Sequence, residues 1–466
     1  MTKEKENLMD KITSLAKRRG FIFSGSEIYG GLANTWDYGP VGVELKNNIK
    51  QAWWRMFAQN REDVVGLDAA ILMNSDVWKA SGHTAGFNDA LVDCKSCRAR
   101  LRADHLVEDN LDIKVEGKSL EEITEIIKKN KLKCPSCGKS DFTEARKFNL
   151  MFKTFQGVVE EDNAIIYLRP ETAQAMFVDF KNVLSSTHKK IPFGIAQIGK
   201  SFRNEITPGN FIFRTIEFEQ MELEYFIKEE NWQEQFDYWQ NEMIKWLDYL
   251  GIKKENYSIR EHDKEELSHY SKKTIDIEYN FPFGTKELYG LAYRGNFDLT
   301  QHQKHSKQNM EYFDTEDNKK YIPHVIEPTF GVDRSFLAVM VDAYCEEEAP
   351  TANGKTETRV VMKFNKNIAP VKVAILPLSK KENLSKKAKE VFDLVKTEFV
   401  CQYDESQSIG KRYRRQDEIG TPYCVTVDFE SLEDNAVTIR DRDTMEQERV
   451  KIGEVVEWLK RAFLKL

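Results

Sequence analysis

The chain has 466 residues, 41% hydrophobic and 11% aromatic, with 69 Lys and Arg against 76 Asp and Glu for a formal charge of −7. That length exceeds one typical domain and supports two or three packed cores. The acidic balance argues against a sequence-blind nucleic-acid coat and against a DNA partner, but a local basic surface can still steer one end of an RNA. No apolar run approaches a membrane span and the opening Met1-Thr-Lys-Glu-Lys-Glu lacks a signal-peptide core, so a cytoplasmic protein with no membrane contact is expected.

From the N-terminus, Leu8, Ile12, Leu15 and Ala16 predict a short amphipathic helix ending at Gly20. The Gly-rich stretch Ile28 to Gly42 lacks the spacing of a phosphate-cradling loop. A helix from about Val43 to Gln59 follows, with Leu45, Ile49, Ala52, Trp53 and Met56 as its apolar stripe. Such a stripe serves plain core and dimer face equally well.

The seven cysteines are unevenly placed. Cys94-Lys-Ser-Cys97 and Cys134-Pro-Ser-Cys137 are two Cys-x-x-Cys turns, which in a reducing compartment suggest a tetrahedral zinc site with four thiolates. Four protein ligands leave no open position, so the metal would staple the fold and would not catalyse. Between the pairs, the run from Leu120 has helical apolar spacing, while Cys345, Cys401 and Cys424 stand alone.

The run from Ala196 to Glu222 reads as a hairpin of two polar-faced strands. Gln197, Ser201, Arg203 and Glu205 share one parity, and Ala196, Ile198, Phe202 and Ile206 the other. Thr207-Pro208-Gly209-Asn210 supplies turn chemistry, and Arg214, Phe218 and Glu222 then recur every fourth residue, on one strand face. A cation, a flat ring and a carboxylate in line suit a ligand with a phosphate, a ring and an amine.

Beyond it, residues 226–285 are rich in charge and aromatics, and Trp232, Phe236, Trp239, Met243, Trp246 and Leu250 predict one packed helix. Glu327-Pro-Thr-Phe-Gly331-Val-Asp-Arg334 reads as a strand end, a Gly turn and a helix whose Leu337, Ala338 and Val341 face inward. Arg334 lies in the first turn of that helix, where the dipole disfavours a cation unless something anionic is near. The stretch from Cys345 to Thr358, with Pro350 and Gly354, looks like a boundary. After Pro370 strands at 371–377, 423–427 and 436–439 alternate with helices at 385–395 and 455–464, an α/β pattern. Lys411-Arg-Tyr-Arg-Arg415, with Arg440 and Arg442, offers basic charge around an aromatic, a composition that suits single-stranded RNA.

Arg203-x-Glu205, a loop, then Arg214-x-x-x-Phe218-x-x-x-Glu222 resembles the second signature motif of class II aminoacyl-tRNA synthetases. The Pro40 turn with its helix resembles the first motif, which builds a homodimer, and Gly331 to Arg334 resembles the third. Arg169-Pro-Glu171-Thr-Ala-Gln174, Lys286-Glu287-Leu288 and Glu327-Pro-Thr329-Phe330-Gly331 are closest to the bacterial-type homodimeric glycyl-tRNA synthetases. The resemblance implies an α+β fold. An antiparallel-sheet catalytic domain with helices would span residues 1–365, with a zinc-ribbon-like insertion at about 90–145 and a helical insertion at about 226–285; an α/β anticodon-binding domain would span 366–466.

Residue by residue, the resemblance puts Arg203 on the ATP α-phosphate, Glu205 on the adenine amino group, Arg214 on the γ-phosphate end, and Phe218 and Arg334 on the two adenine faces. Arg203, Glu205, Arg214 and Arg334 form the catalytic set. Asn204, Phe213, Thr215, Ile216, Glu217, Glu287, Leu288, Gly331, Val332 and Asp333 complete the nucleotide set, with Glu287 helping to hold Mg²⁺. For glycine it implies Arg102 on the carboxylate, with Arg98 and Arg100 as alternatives, and Glu171, Glu222 and Glu327 around the ammonium. Phe218, Glu219, Gln220, Met221, Pro328, Thr329, Phe330 and Gly331 line the remainder.

The expected activity is ATP-dependent attachment of glycine to tRNA(Gly) through glycyl-adenylate, resting on positioning and charge stabilisation. No Ser/His/Asp or Cys/His set stands out, and His83, His302 and His305 read as surface or satisfied groups. A synthetase for another small amino acid, or a catalytically silent synthetase-like module, are the alternatives.

Overall fold

The computed structural model describes residues 3–111, 113, 115, 118–161, 164–206, 209–263, 267, 270–350 and 356–464. Thr207 and Pro208 of the predicted turn, and Gly354 of the predicted boundary, lie outside the described residues.

Helix Lys3–Arg19 buries Ile12, Leu15 and Ala16 and stops where Gly20 takes φ +74°, a conformation cheap only without a Cβ. The second predicted helix runs Pro40–Trp54 and continues as a π turn over Arg55–Gln59. Pro40 presets its first turn. Leu45, Ile49 and Trp53 are fully buried and the helix packs on helix Val332–Ala343, so the apolar stripe is core. In the preceding loop, by contrast, Ile28, Tyr29 and Leu32 are 89%, 87% and 61% exposed.

Seven strands make the central sheet: β1 (Val64–Gly66), β2 (Phe193–Phe202), β3 (Glu217–Ile227), β4 (Tyr257–Glu261), β5 (Lys273–Phe281), β6 (Gly284–Gly295) and β7 (His324–Gly331). Their order is β4-β5-β6-β7-β3-β2-β1, antiparallel throughout except for β1 beside β2. One face of β3 sends Met221, Leu223, Tyr225 and Ile227 into the main core with Trp53, Phe57, Trp239 and Phe330. By strand alternation the other face carries Phe218, Gln220, Glu222 and Glu224. At its far end Phe226 packs with Phe177 and Phe180 of the helices Ala173–Val178 and Phe180–Thr187.

Two expectations are corrected here. The predicted helix exists as Trp232–Leu250, but it covers β6 and β7, and the chain after it supplies β4 and β5, so the expected helical insertion at about 226–285 is instead a covering helix followed by two strands of the central sheet. The inward alternation of Ile275, Ile277, Tyr279 and Phe281 on β5 carries that signal. The hairpin strands are also shorter than expected. Arg203 donates its backbone N–H to Ile216 at 2.9 Å, but Asn204 turns to the Leu150 carbonyl at 2.8 Å, and Phe211–Phe213 forms a 3₁₀ turn. Arg203, Glu205 and Arg214 therefore sit on a loop crossing the end of the β2–β3 pair, where side chains need not alternate.

The segment carrying the Cys-x-x-Cys pairs folds beside the core as a three-stranded sheet (Asn88–Asp93, Arg100–Arg102, Arg146–Asn149) with helices Ala103–Leu111 and Leu120–Lys129. Ser119 and Glu122 close a capping box on the second helix, and its Ile123 and Ile127 pack with Val92, Leu106 and Val107.

Tyr344–Pro350 pairs with Thr356–Met362 as an antiparallel ribbon where a boundary was predicted. Beyond it, β8 (Val373–Pro377), β9 (Cys401–Tyr403), β10 (Tyr423–Val427), β11 (Ala436–Asp441) and β12 (Gln447–Lys451) form a sheet of order β9-β8-β10-β11-β12, parallel around β8. Helices Glu382–Val395 and Val455–Leu464 pack on it. The basic run from Lys411 lies in a helix, Ile409–Ile419, which packs on the Thr356–Met362 strand.

That placement corrects the expected RNA-facing arginines. Arg412 is 1% exposed and donates to the carbonyls of Pro377, Asp404 and Leu378. Arg415 pairs with Asp404 and donates to the Ser406 carbonyl, Arg414 pairs with Glu357, and Arg440 pairs with Asp417. Arg442, also buried, donates to the carbonyls of Gly420 and Phe364 at 2.8 and 2.7 Å. These guanidiniums satisfy backbone oxygens and carboxylates within the fold, since a buried carbonyl without a donor is costly.

Candidate functional site

Three guanidiniums meet in a cleft of about 710 Å³ at the β3, β6 and β7 ends of the sheet. Arg203 leaves the end of β2, donates to the Pro170 carbonyl at 3.1 Å, and stands 5.3 Å from the ring centres of both Phe218 and Phe87. Arg214 faces Glu205 at 4.0 Å. Arg334 opens helix Val332–Ala343, lies 3.1 Å from the Glu287 carboxylate, and rests 4.5 Å from the Phe213 ring centre.

The electrostatics identify the kind of ligand that fits. Burial holds Arg214 below its ordinary value; Glu205 opposes this, and repulsion from Arg102 and Arg334 adds to it. The Arg334 guanidinium holds the half-exposed Glu287 carboxyl below the usual carboxylate range, with Arg203 and Arg214 adding to the pull. Of the four acids lining the cleft, Glu219 and Asp333 are taken up by Lys46 and Lys50, which leaves three guanidiniums to Glu205 and Glu287; that excess favours a polyanion, and the Phe213 and Phe218 rings beside it can take a flat ring.

Of the expected nucleotide set, Arg203, Glu205, Phe213, Arg214, Thr215, Phe218, Glu287, Leu288, Gly331, Asp333 and Arg334 line this cleft. Asn204, Ile216 and Glu217 stand outside its lining; Ile216 donates its N–H to the Asn34 carbonyl, and exposed Glu217 pairs with Lys200. Val332 is corrected: it is fully buried in the main core, because the helix turns its first side chain inward while Arg334 faces out. Asp333 sits at the edge as a tie between motifs. Its carboxylate accepts from Tyr38, from Lys46 at 3.1 Å and from the Glu219 backbone N–H at 2.8 Å. Ile212 and Tyr289 also line the cleft and were missed, being indistinguishable in sequence from core apolar residues.

Beyond Phe218, the same face of β3 leads into an acidic pit. Glu222 accepts from Thr172 and, at 3.1 Å, from Thr329. Glu171 accepts from Gln174 at 3.0 Å and lies 3.3 Å from His83 Nε2. Burial alone would raise Glu171, but His83, Arg294 and the Gln174 hydrogen bond outweigh it and hold the carboxyl well below its usual range. Glu327 accepts from Arg294 Nη1 at 2.9 and 2.8 Å, and Arg294 also pairs with Asp298 at 2.8 Å. Glu171, Glu222, Glu224, Glu327 and Asp298 thus share one buried guanidinium. A small cation fits such a pit.

The expected glycine set divides by strand parity. Glu222, Glu327 and Thr329 converge with Glu171, while Phe218, Gln220 and Gly331 line the way in. Met221 and Phe330 are corrected to the main core, and Pro328, on the same parity of β7 as Phe330, is buried on that side too. Glu219 touches the cleft but pairs with Lys46 at 2.7 Å and Lys50 at 3.0 Å, away from Glu222. His83, read from sequence as a surface or satisfied group, is a member of the pit. His302 is buried and bonded to Gln174 at 2.9 Å. Arg294, the pit's central cation, was missed; its partners come from β7 and from helix Phe297–Ser306, and no local pattern announces it.

Among the three candidate arginines, Arg102 is the one whose charge acts on cleft residues, Arg214 and Glu205, although it stands outside the cleft lining. It pairs with Asp89 at 3.0 Å and with Asp104. Arg100 and Arg98 are exposed, and Arg98 takes φ +60° inside a Cys-x-x-Cys turn.

The two cysteine turns are built alike. Cys94 accepts from the Arg98 N–H and Cys134 from the Gly138 N–H, each at 2.8 Å. Sγ of Cys94 lies 3.6 Å from Cys137 and Sγ of Cys97 lies 3.6 Å from Cys134, with all four sulfurs within 4.8 Å of one another. A tetrahedron with metal–sulfur bonds of ~2.3 Å has edges of ~3.8 Å, so the thiols fit such an ion.

Residues 152–344 match the family model of the tRNA synthetase class II core domain (G, H, P, S and T), and residues 372–462 match that of the anticodon binding domain. The glycine–tRNA ligase of Acetivibrio thermocellus is 58% identical over 465 residues, 99% of each chain. That of Clostridium perfringens is 59% identical over 456 residues, 97% of each chain. That of Clostridium acetobutylicum is 59% identical over 460 residues, 97% of this chain and 98% of its own.

Proposed function

The chain belongs to the glycine–tRNA ligase family of class II tRNA synthetases, and we propose that its arginine-lined cleft takes ATP while the acidic pit beside it takes glycine. The enzyme attaches glycine to tRNA in two steps that consume ATP. A glycine carboxylate oxygen attacks the α-phosphorus, the bond to the β-phosphate oxygen breaks, and glycyl-adenylate and pyrophosphate form. A terminal ribose hydroxyl of tRNA(Gly) then attacks the activated carbonyl, and AMP leaves.

The observation that carries the site assignment is the adjacency, on one face of β3, of a guanidinium cluster and a pit holding five acids with one buried guanidinium. Arg203 neutralises charge growing at the α-phosphorus, Arg214 the far phosphates, and Arg334 and Phe218 hold the adenine. Positioned charges of this kind cost no reorganisation as the transition state forms. Glu171 and Glu222 bind the glycine ammonium, and Arg102 orients the carboxylate. The Thr172 and Thr329 hydroxyls, fixed on Glu222, crowd the space a β-carbon would need. Mg²⁺ would bind at Glu287, whose cross-strand partner is Glu278, and would screen the phosphates when present.

Cys94, Cys97, Cys134 and Cys137 would hold one structural Zn²⁺, keeping the Arg102 strand aligned on the cleft. A homodimer would cover the exposed Ile28, Tyr29 and Leu32 loop. For tRNA, the loops at the carboxyl ends of parallel β8 and β10 offer Lys381 4.8 Å from the centre of the half-exposed Phe429 ring, a pairing suited to an unstacked anticodon base. No described helix is long and apolar enough to cross a membrane, and the reaction belongs in the cytoplasm with its tRNA.

Glycine-dependent exchange of pyrophosphate into ATP tests the assignment. Exchange with glycine and not with alanine or serine is the expected result; exchange with serine or proline alone would overturn it.

A further inference from the structure

Glu224 is the one acid of the pit without a partner. It is fully buried, and neither carboxyl oxygen has a hydrogen bond among the described residues. In the register of β3 on β7, Glu222 pairs with Thr329 and Tyr225 with Ile326, which sets Glu224 directly opposite Glu327. One oxygen from each of Glu222, Glu224 and Glu327 lies within 4.8 Å of the others. Like charges directly across an antiparallel pair are unfavourable, and a buried carboxylate with no donor is more so.

The charged groups that act on Glu224 are Glu222 on its own strand, Glu327 on β7, Arg294 on β6 and Asp298 on the following helix. Arg294 relieves it only through its charge and not by a hydrogen bond, because its donors are spent on Glu327 and Asp298. We propose that Glu224 carries a proton in the working enzyme and shares it with the facing Glu327 carboxylate, making Glu224 a positioning residue that holds the glycine-binding acids in place. Burial, and then the Glu327 charge, push its carboxyl well above the usual range, in the same direction. Two acids sharing one proton is the general outcome when like charges are buried side by side.

The arrangement limits the pit's charge. Were Glu224 ionised, it would repel Glu327 and Glu222; as a neutral acid it gives Glu327 a donor besides Arg294. Glycine then meets carboxylates held at a set height on β3. This deepens the glycine reading of the pit and rests on it.

Steady-state pyrophosphate exchange on the full-length enzyme, with glycine and ATP varied separately, distinguishes the possibilities. Glu224→Gln keeps the shape and a donor without charge. It should hold the glycine KM within about threefold of wild type, with the same dependence on pH from 6 to 9. Glu224→Leu removes the donor and should raise the glycine KM on the order of tenfold or more while the ATP KM stays within about twofold. If Glu224→Gln raises the glycine KM as much as Glu224→Leu, or its pH profile departs from wild type, Glu224 is ionised and the proposal fails. An unchanged glycine KM in Glu224→Leu would also overturn it. Should Glu224→Leu not fold, Glu224→Gln alone still decides. Failure of wild type to exchange with glycine would instead refute the substrate assignment.

Discussion

Arg334 and Glu287 are tied twice: Nη1 of the arginine lies 3.1 Å from the glutamate carboxylate and donates to its backbone carbonyl at 2.9 Å. The pair bridges the first turn of helix Val332–Ala343 to strand β6, and it holds the guanidinium over the Phe213 ring, 4.5 Å from its centre. The third-motif arginine is therefore fixed in the cleft by protein groups, at a helix start that would otherwise disfavour its charge.

Replacing Arg334 tests that preorganisation. Arg334→Ala should raise the ATP KM in pyrophosphate exchange about tenfold or more, since a desolvated guanidinium on a ring is worth up to about 2 kcal/mol. Arg334→Lys should recover little of it, because an ammonium cannot reproduce the planar double contact. Full activity in the lysine variant would show that charge alone suffices.

Arg203→Ala should lower the exchange rate on the order of a hundredfold or more with little change in thermal stability, as its role is in the transition state. Phe218→Ala should mainly weaken ATP binding. Near wild-type exchange in Arg203→Ala would remove it from the α-phosphate.

Asp333 joins Tyr38, Lys46 and the Glu219 backbone beneath the cleft. Asp333→Ala leaves the buried Lys46 with one partner fewer and should cost about 3 kcal/mol in denaturant unfolding. The same network sets a pH dependence. Burial would raise Glu219, but Lys46 and Lys50 outweigh it and lower its value in the folded state. Its contribution is therefore complete above the unfolded value of about 4.3 and is lost as pH falls through the lower folded value. Lys46→Met should flatten the acid limb of the stability profile; an unchanged limb would exclude this network as its source.

Arg412 and Lys381 should separate fold from RNA contact. Arg412→Ala strips donors from buried carbonyls and should destabilise the C-terminal sheet by about 2 kcal/mol, visible in its thermal transition. Lys381→Ala with Phe429→Ala should leave melting and exchange unchanged but lower kcat/KM for tRNA charging about tenfold. Equal loss of exchange and charging in that double variant would argue against the RNA role.

Metal analysis should find about one zinc per chain, and Cys94→Ser should release it. Chelation should loosen the Arg102 strand and raise the glycine KM. A metal-free enzyme with full activity would refute the staple.

The motif residues were legible because their chemistry is local. Arg203, Phe218 and Arg334 stand at fixed spacings within short runs, and the Cys-x-x-Cys turns announce themselves in four residues each. Helix Trp232–Leu250 was legible from its 3.6-residue rhythm, whereas β4 and β5 were hidden by the aromatic weight of the same segment. Strand alternation on β3 and β7 turns Met221, Pro328 and Phe330 to the core face, although the motif groups them with the glycine-facing residues beside them in sequence.

Residue types, their order and their spacing already implied the family, the nucleotide-binding arginines and the paired thiols, since these depend on neighbours along the chain. What became of each charge was decided only by folding. Arg412 and Arg442 are chemically as able to bind RNA as any surface arginine, yet carbonyls from distant segments enclose them; Arg294, unremarkable in its strand, becomes a buried guanidinium set among five acids. Burial and partner choice set the free energy of a charge, and both are properties of contacts between residues far apart in the chain.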